Sequence, residues 1–132
     1  MAKFKDLVQH YQLNRLMYEK FKEDAAKKVV VLRHKLEWQL ECSKENIAIE
    51  GPIKEGNRLK YNVNLVFIYE DPISHKKDPK VITLPISFIP PLGQKIEFNG
   101  KEYMWTDSLK TLFDAFVDHI MQDKTIYGVT DK

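Results

Sequence analysis

The side chains able to do chemistry in this chain are few and widely spaced. Four histidines, His10, His34, His75 and His119, show none of the i, i+3 or i, i+4 pairings that let two imidazoles share a metal ion on one helix face. His119 and Asp123 are one helical turn apart, which is the spacing of an exposed ion pair at a helix end. Cys42 is the single cysteine, so no internal disulfide can form, and no motif surrounds it that would activate a nucleophile. The five glycines are scattered through turns and do not gather between a strand and a helix, where a phosphate-cradling loop would need them. Nothing in these spacings implies a catalytic residue, a metal ligand or a cofactor, and the expectation is a protein that is not an enzyme.

One short element points the other way. Asp78-Pro79-Lys80 beside a strand resembles the acidic-x-Lys element of restriction-endonuclease-like nucleases, over three residues only. That resemblance implies a metal-dependent phosphodiesterase, whose two ions, about 3.5–4 Å apart, are held by carboxylates converging from separate strands. Asp71 and Asp78 instead fall in one proline-bounded loop and read as turn residues.

Nucleic-acid binding without catalysis is the main alternative to a protein partner. Between residues 3 and 42 there are nine Lys or Arg against six Asp or Glu, and His75-Lys76-Lys77 sits in a loop that could serve as a finger. Tyr61, Phe67 and Tyr69 alternate along a strand, where aromatics can stack bases. They also share a face with Leu59, Val63 and Leu65, so the expectation is that they fill a core. The net charge of +2, from 21 basic and 19 acidic residues, demands neither a nucleic acid nor a membrane.

The elements that would position such side chains begin with the first fifty residues, which lack glycine and proline. From about residue 4 to 42 they read as one helix, roughly 58 Å long if unbroken. A compact domain of 132 residues spans only about 36 Å, so the helix should overhang or break. The β-branched run Val29-Val30-Val31, or Asn14, is where a break would fall. Phe4, Leu7, Val8, Tyr11, Tyr18, Ala25, Val29, Leu32, Leu36 and Leu40 form one stripe, expected to face a sheet. Leu13, Leu16, Met17, Val31 and Trp38 form a thinner stripe roughly opposite. A helix packed on one side has no use for that second stripe. It is therefore the expected interface, with Trp38 as the anchor, unless Trp38 packs inside against Trp105.

After Ser43 the period shortens to two. Strands are expected at about 46–50, ending at Gly51-Pro52, then at 58–70, 80–89, 94–98 and 101–105. Asn99-Gly100 specifies a tight hairpin between the last two, and Pro85 marks an edge or a bulge in the third. Thr106 or Asp107 should cap a final helix, about 107–122, with aspartates early in it and Leu109, Leu112, Phe113, Phe116, Val117 and Ile120 as its apolar stripe. The tail from Asp123 looks loose.

With 43% hydrophobic and 30% charged residues, the chain should bury a core without a disulfide or a metal. Its start lacks an apolar leader, which with one cysteine suggests the cytoplasm. The expected architecture is a single α+β domain: a long N-terminal helix, an antiparallel sheet of four to five strands and a C-terminal helix on the same sheet face. The expected function is that of a small regulator, inhibitor or accessory protein that meets a protein partner through its long helix, or pairs with itself as a homodimer.

Overall fold

A computed structural model describes residues 3–91, 93–106 and 109–122, with backbone alone for Asp78. Asp107 as a cap, Leu92 of the extended segment Ile89-Pro90-Pro91-Leu92 that the sequence offers as another surface for a partner, and Asp123 with the tail after it lie outside the described residues.

The architecture is α+β. Helix α1, Phe4–Leu40, is followed by a single 3-10 turn, Lys44–Asn46, and by strands β1 Ile47–Glu55, β2 Arg58–Glu70, β3 Lys77–Ile89, β4 Lys95–Phe98 and β5 Lys101–Met104. Helix α2, Lys110–Met121, closes the described chain. The strands form one antiparallel meander in the order β1-β2-β3-β4-β5. Leu59, Tyr61, Val63 and Leu65 of β2 stand opposite Phe88, Ile86, Leu84 and Ile82 of β3, placing all eight on one pleat face. Both helices cover that face, in a core that joins Phe21, Ala25, Leu32 and Leu36 of α1 to Leu112, Phe113 and Phe116 of α2. The Phe98 and Phe116 rings meet edge to face at 4.8 Å.

The far face of the sheet is polar where β1, β2 and β3 run side by side. Asn64 donates to Glu50 and accepts from the Thr83 hydroxyl at 2.7 Å, which satisfies an amide otherwise buried.

Helix α1 does not break. Its 37 residues are continuous through Asn14 and Val29–Val31, and at about 1.5 Å per residue it runs about 55 Å. Val29, Leu32 and Leu36 are buried against the sheet, and that packing outweighs the small propensity cost of three valines. The helix stops at Glu41, which turns left-handed at φ 52°.

Beyond α1, the structure departs from the sequence expectation at four places. Strand β1 continues through Gly51-Pro52 to Glu55, because an irregularity between Glu50 and Ile53 absorbs the proline and pairing resumes at Ile53–Lys60. Strand β3 starts at Lys77, so residues 71–76 alone form the turn; Asp71 caps it by accepting the N–H groups of Ile73 at 2.7 Å and Ser74 at 3.0 Å. Pro85 lies in an inner strand, yet β4 pairs with β3 only from Ile86 onward, so its missing N–H falls where β3 has a single neighbour. Helix α2 begins at Lys110 and has no acid in its first turn. The Thr106 hydroxyl instead accepts from the N–H of Leu109, the residue that enters the helix at φ 53°.

Candidate functional site

Position along α1 decides which of its apolar residues are used. The sheet runs out near Tyr18, where the Lys54 ammonium lies 5.0 Å from the ring centroid. Every residue from 3 to 17 is exposed. Phe4, Leu7, Val8 and Tyr11, expected to face the sheet, therefore lie beyond it, with Phe4 81% and Tyr11 73% exposed. They have the same periodicity as the buried residues but no strand among the described residues underneath them.

The second stripe is exposed throughout. Leu13, Leu16, Met17 and Val31 all face solvent, and Trp38 is 84% exposed. They do not make one patch, since Val31 is about 21 Å and Trp38 about 31 Å along the axis from Met17. Leu13, Leu16 and Met17 instead join Phe4, Leu7, Val8 and Tyr11 on the projecting segment, which is apolar on both sides. Trp38 borders a shallow hollow with His34 and Lys110. Trp105 packs against the core under the Lys28 ammonium, 5.6 Å away, so the two tryptophans are not partners.

A second apolar feature lies at the opposite end of the domain, and the sequence stripes did not announce it. Strands β2 and β3 extend past the start of β1, since Ile47 already pairs with Leu65. The remaining rungs, Val66–Val81 to Glu70–Lys77, form an arm beyond the helices. Between the base of that arm and the C-terminal turns of both helices lies a cleft of about 430 Å³. Leu36 and Leu40 of α1, Leu65, Phe67 and Tyr69 of β2, and Phe116, Val117 and Ile120 of α2 form its walls, with Cys42 and Asn46 at the rim of α1. Asn46 already spends its amide on the Val66 carbonyl at 3.1 Å. Phe67 and Tyr69, expected in the core, are 40% and 48% exposed because the sheet outruns its cover; only Tyr61 is buried.

Several of the ionisable groups have structural partners. Burial, and secondarily the Glu37 carboxylate, pushes the Cys42 thiol up from its ordinary value, the reverse of an activated nucleophile. His10 bonds Asn14 at 3.2 Å, His34 lies 3.5 Å from Glu37, and His119 packs edge-on to Phe98. Arg33 donates to the Lys44 carbonyl at 2.9 Å. Asp71 is taken up by its own turn, and Lys76 and Lys77 flank the end of that turn with Lys77 opposite Glu70. Among the described residues, no three His, Cys, Asp or Glu side chains converge as a metal site would require. No helix among them is long and apolar enough to cross a membrane.

No family model, no curated protein and no solved structure matches this chain.

Proposed function

We propose that this chain is a small, non-enzymatic protein-interaction module, a regulator, inhibitor or accessory protein that docks through the projecting N-terminal part of α1. What carries the reading is the exposure of residues 3–17 as a helix with apolar side chains on both sides. Seven apolar or aromatic side chains on two sides of this stretch, Phe4, Leu7, Val8, Tyr11, Leu13, Leu16 and Met17, face solvent, which is the pattern of a surface that meets a partner. A partner surface would cover them, with Phe4, Leu7 and Tyr11 as anchors at helix-in-groove spacing and Leu13 and Leu16 on the opposite side. The lone, unbridged cysteine accords with work in the reducing cytosol.

The test is a photo-reactive amino acid placed in turn at position 7, position 13 and the exposed control position Lys22, with irradiation in the producing cells. Discrete protein adducts at 7 and 13, above the control, are expected. Adducts no stronger than those at Lys22 end the proposal.

A second reading, nucleic-acid binding, is favoured by one observation: Phe67 and Tyr69 are open to solvent on an arm that also carries Lys76, Lys77 and Lys80. Lys76→Glu with Lys77→Glu would then weaken oligonucleotide binding and flatten its salt dependence. Absence of any binding by the parent chain at low salt removes it.

A further inference from the structure

Exposed strand edges are usually guarded by prolines, charges or a covering segment, and the arm guards its two edges unequally. On the β3 side, Pro79 stands opposite Ile68 and Pro85 opposite Asn62, with Lys80 between them. On the β2 side, the run Val66-Phe67-Ile68-Tyr69 has neither proline nor charge. Strand β1 covers β2 only as far as Leu65, and the Asn46 amide donates to the Val66 carbonyl at 3.1 Å in place of a further rung. Backbone groups of alternate residues point to the same side of a strand, so Ile68 and Glu70 turn their N–H and C=O outward as Val66 does. No strand among the described residues pairs with them there.

We propose that residues 124–130 of this same chain lie along that free edge of β2 as an added strand and set their apolar side chains in the adjoining cleft.

Reach favours this occupant. Ile120 and Met121, at the end of α2, are themselves walls of the cleft, so the chain leaves its last helix beside the edge. At about 3.3 Å per residue, Asp123 to Thr130 can span about 26 Å, twice the roughly 13 Å from Val66 to Glu70, which leaves chain enough to turn from the helix onto the strand.

Chemistry favours it as well. Thr125-Ile126-Tyr127-Gly128-Val129-Thr130 is uncharged and rich in β-branched and aromatic residues, the composition of a strand. Alternation sets Tyr127 and Val129 on one face and Ile126 on the other. The edge has the matching division: Phe67 and Tyr69 border the cleft of about 430 Å³ on the helix side, and Ile68, 65% exposed, lies on the far side. A tethered segment also meets its site at an effective concentration in about the millimolar range, ahead of a second copy or any dilute partner. The added strand would close an edge on which two copies could otherwise pair. The projecting part of α1 takes no part in it, so the fate of this inference and that of the docking role are decided separately.

NMR on the full chain tests the proposal by hydrogen exchange and by nuclear Overhauser contacts. The Ile68 and Glu70 amides should exchange about tenfold or more slowly than unpaired amides, and Tyr127 or Val129 should show contacts to Phe67, Tyr69 or Val117. Tyr127→Asp with Val129→Asp should return both amides to the unpaired rate while those of Val63 and Leu84, in the core strands, keep theirs. Free exchange of Ile68 and Glu70 in the parent, absence of those contacts, or protection that survives the variant overturns the proposal. In the last case, a mass of twice 15.6 kDa by light scattering assigns the edge to a second copy. Should the variant melt early, the contacts in the parent chain decide without it.

Discussion

Gly51 sits directly over Tyr61: a Cβ placed on Gly51 would lie 2.8 Å from the ring carbon Cδ1 and 2.9 Å from the Lys60 carbonyl oxygen. Its φ of +137° is closed to other residues. The irregular passage of β1 through Gly51-Pro52 thus depends on an absent side chain. Gly51→Ala should cost about 3 kcal/mol, combining backbone strain with overlap that neither ring nor carbonyl can relieve. Chemical denaturation measures this, and a loss no larger than that of a surface substitution would show that the strand simply shifts.

Beneath that glycine, the Tyr61 hydroxyl is buried without a hydrogen-bond partner among the described residues. Tyr61→Phe should therefore leave stability unchanged or raise it by up to about 1 kcal/mol at neutral pH, unlike most core substitutions. Burial raises the phenol's pKa above its ordinary value of about 10. Below that value both folded and unfolded chains hold the proton, and nothing is lost. Above it the unfolded chain ionises first, so stability falls as pH rises through the folded pKa. The parent should lose more stability than Tyr61→Phe between neutral and strongly alkaline pH, which paired melts at each pH will read.

Identical periodicity along α1 should have unequal consequences. Leu32→Ala should cost about 2–5 kcal/mol and Phe113→Ala about 3–5, since both side chains are fully buried. Leu7→Ser, Tyr11→Ser and the pair Met17→Ala with Trp38→Ala should each stay within about 0.5 kcal/mol of the parent. Monitored by calorimetry, a large loss from the exposed set would mean that the isolated chain packs those residues itself.

In the turn of the arm, the Ser74 N–H, and next the Ile73 N–H, hold the Asp71 carboxyl below the ordinary carboxylate range. The ionised form is the better acceptor, so the turn is firm above about pH 4 and loosens as pH falls through the lowered value. An NMR titration should give Asp71 a midpoint below about 3.9, with the Ile73 and Ser74 amides shifting in step. Asp71→Ala should abolish those coupled shifts.

Much of the architecture could be read in advance because it rests on local rules. Alternation along 59–69 defined β2 and its buried face, and Asn99-Gly100 located the β4–β5 hairpin, where Asn99 and Gly100 both take positive φ. The elements misread were those in which distant contacts overruled a local signal. Gly51-Pro52 looked like a strand end, yet β2 holds the chain in register on both sides of it. Lys77 looked like loop, yet it stands opposite Glu70 in a hairpin whose turn is tightened by Asp71. The projecting helix was partly legible, since its length exceeded the span of a compact domain of 132 residues, whereas the cleft was not. Its walls come from three segments that meet only when the sheet outruns the helices.

Local preference, then, set the kinds of element, their order and the side of each that is apolar, because those properties depend on neighbours a few residues away. Tertiary packing alone decided where the sheet stops under α1. Leu7 and Leu32 have the same chemistry at equivalent helical positions, and burial separates them only through the presence or absence of the sheet's apolar face below. Contact at that range depends on where the whole sheet ends, which no window of sequence along the helix contains.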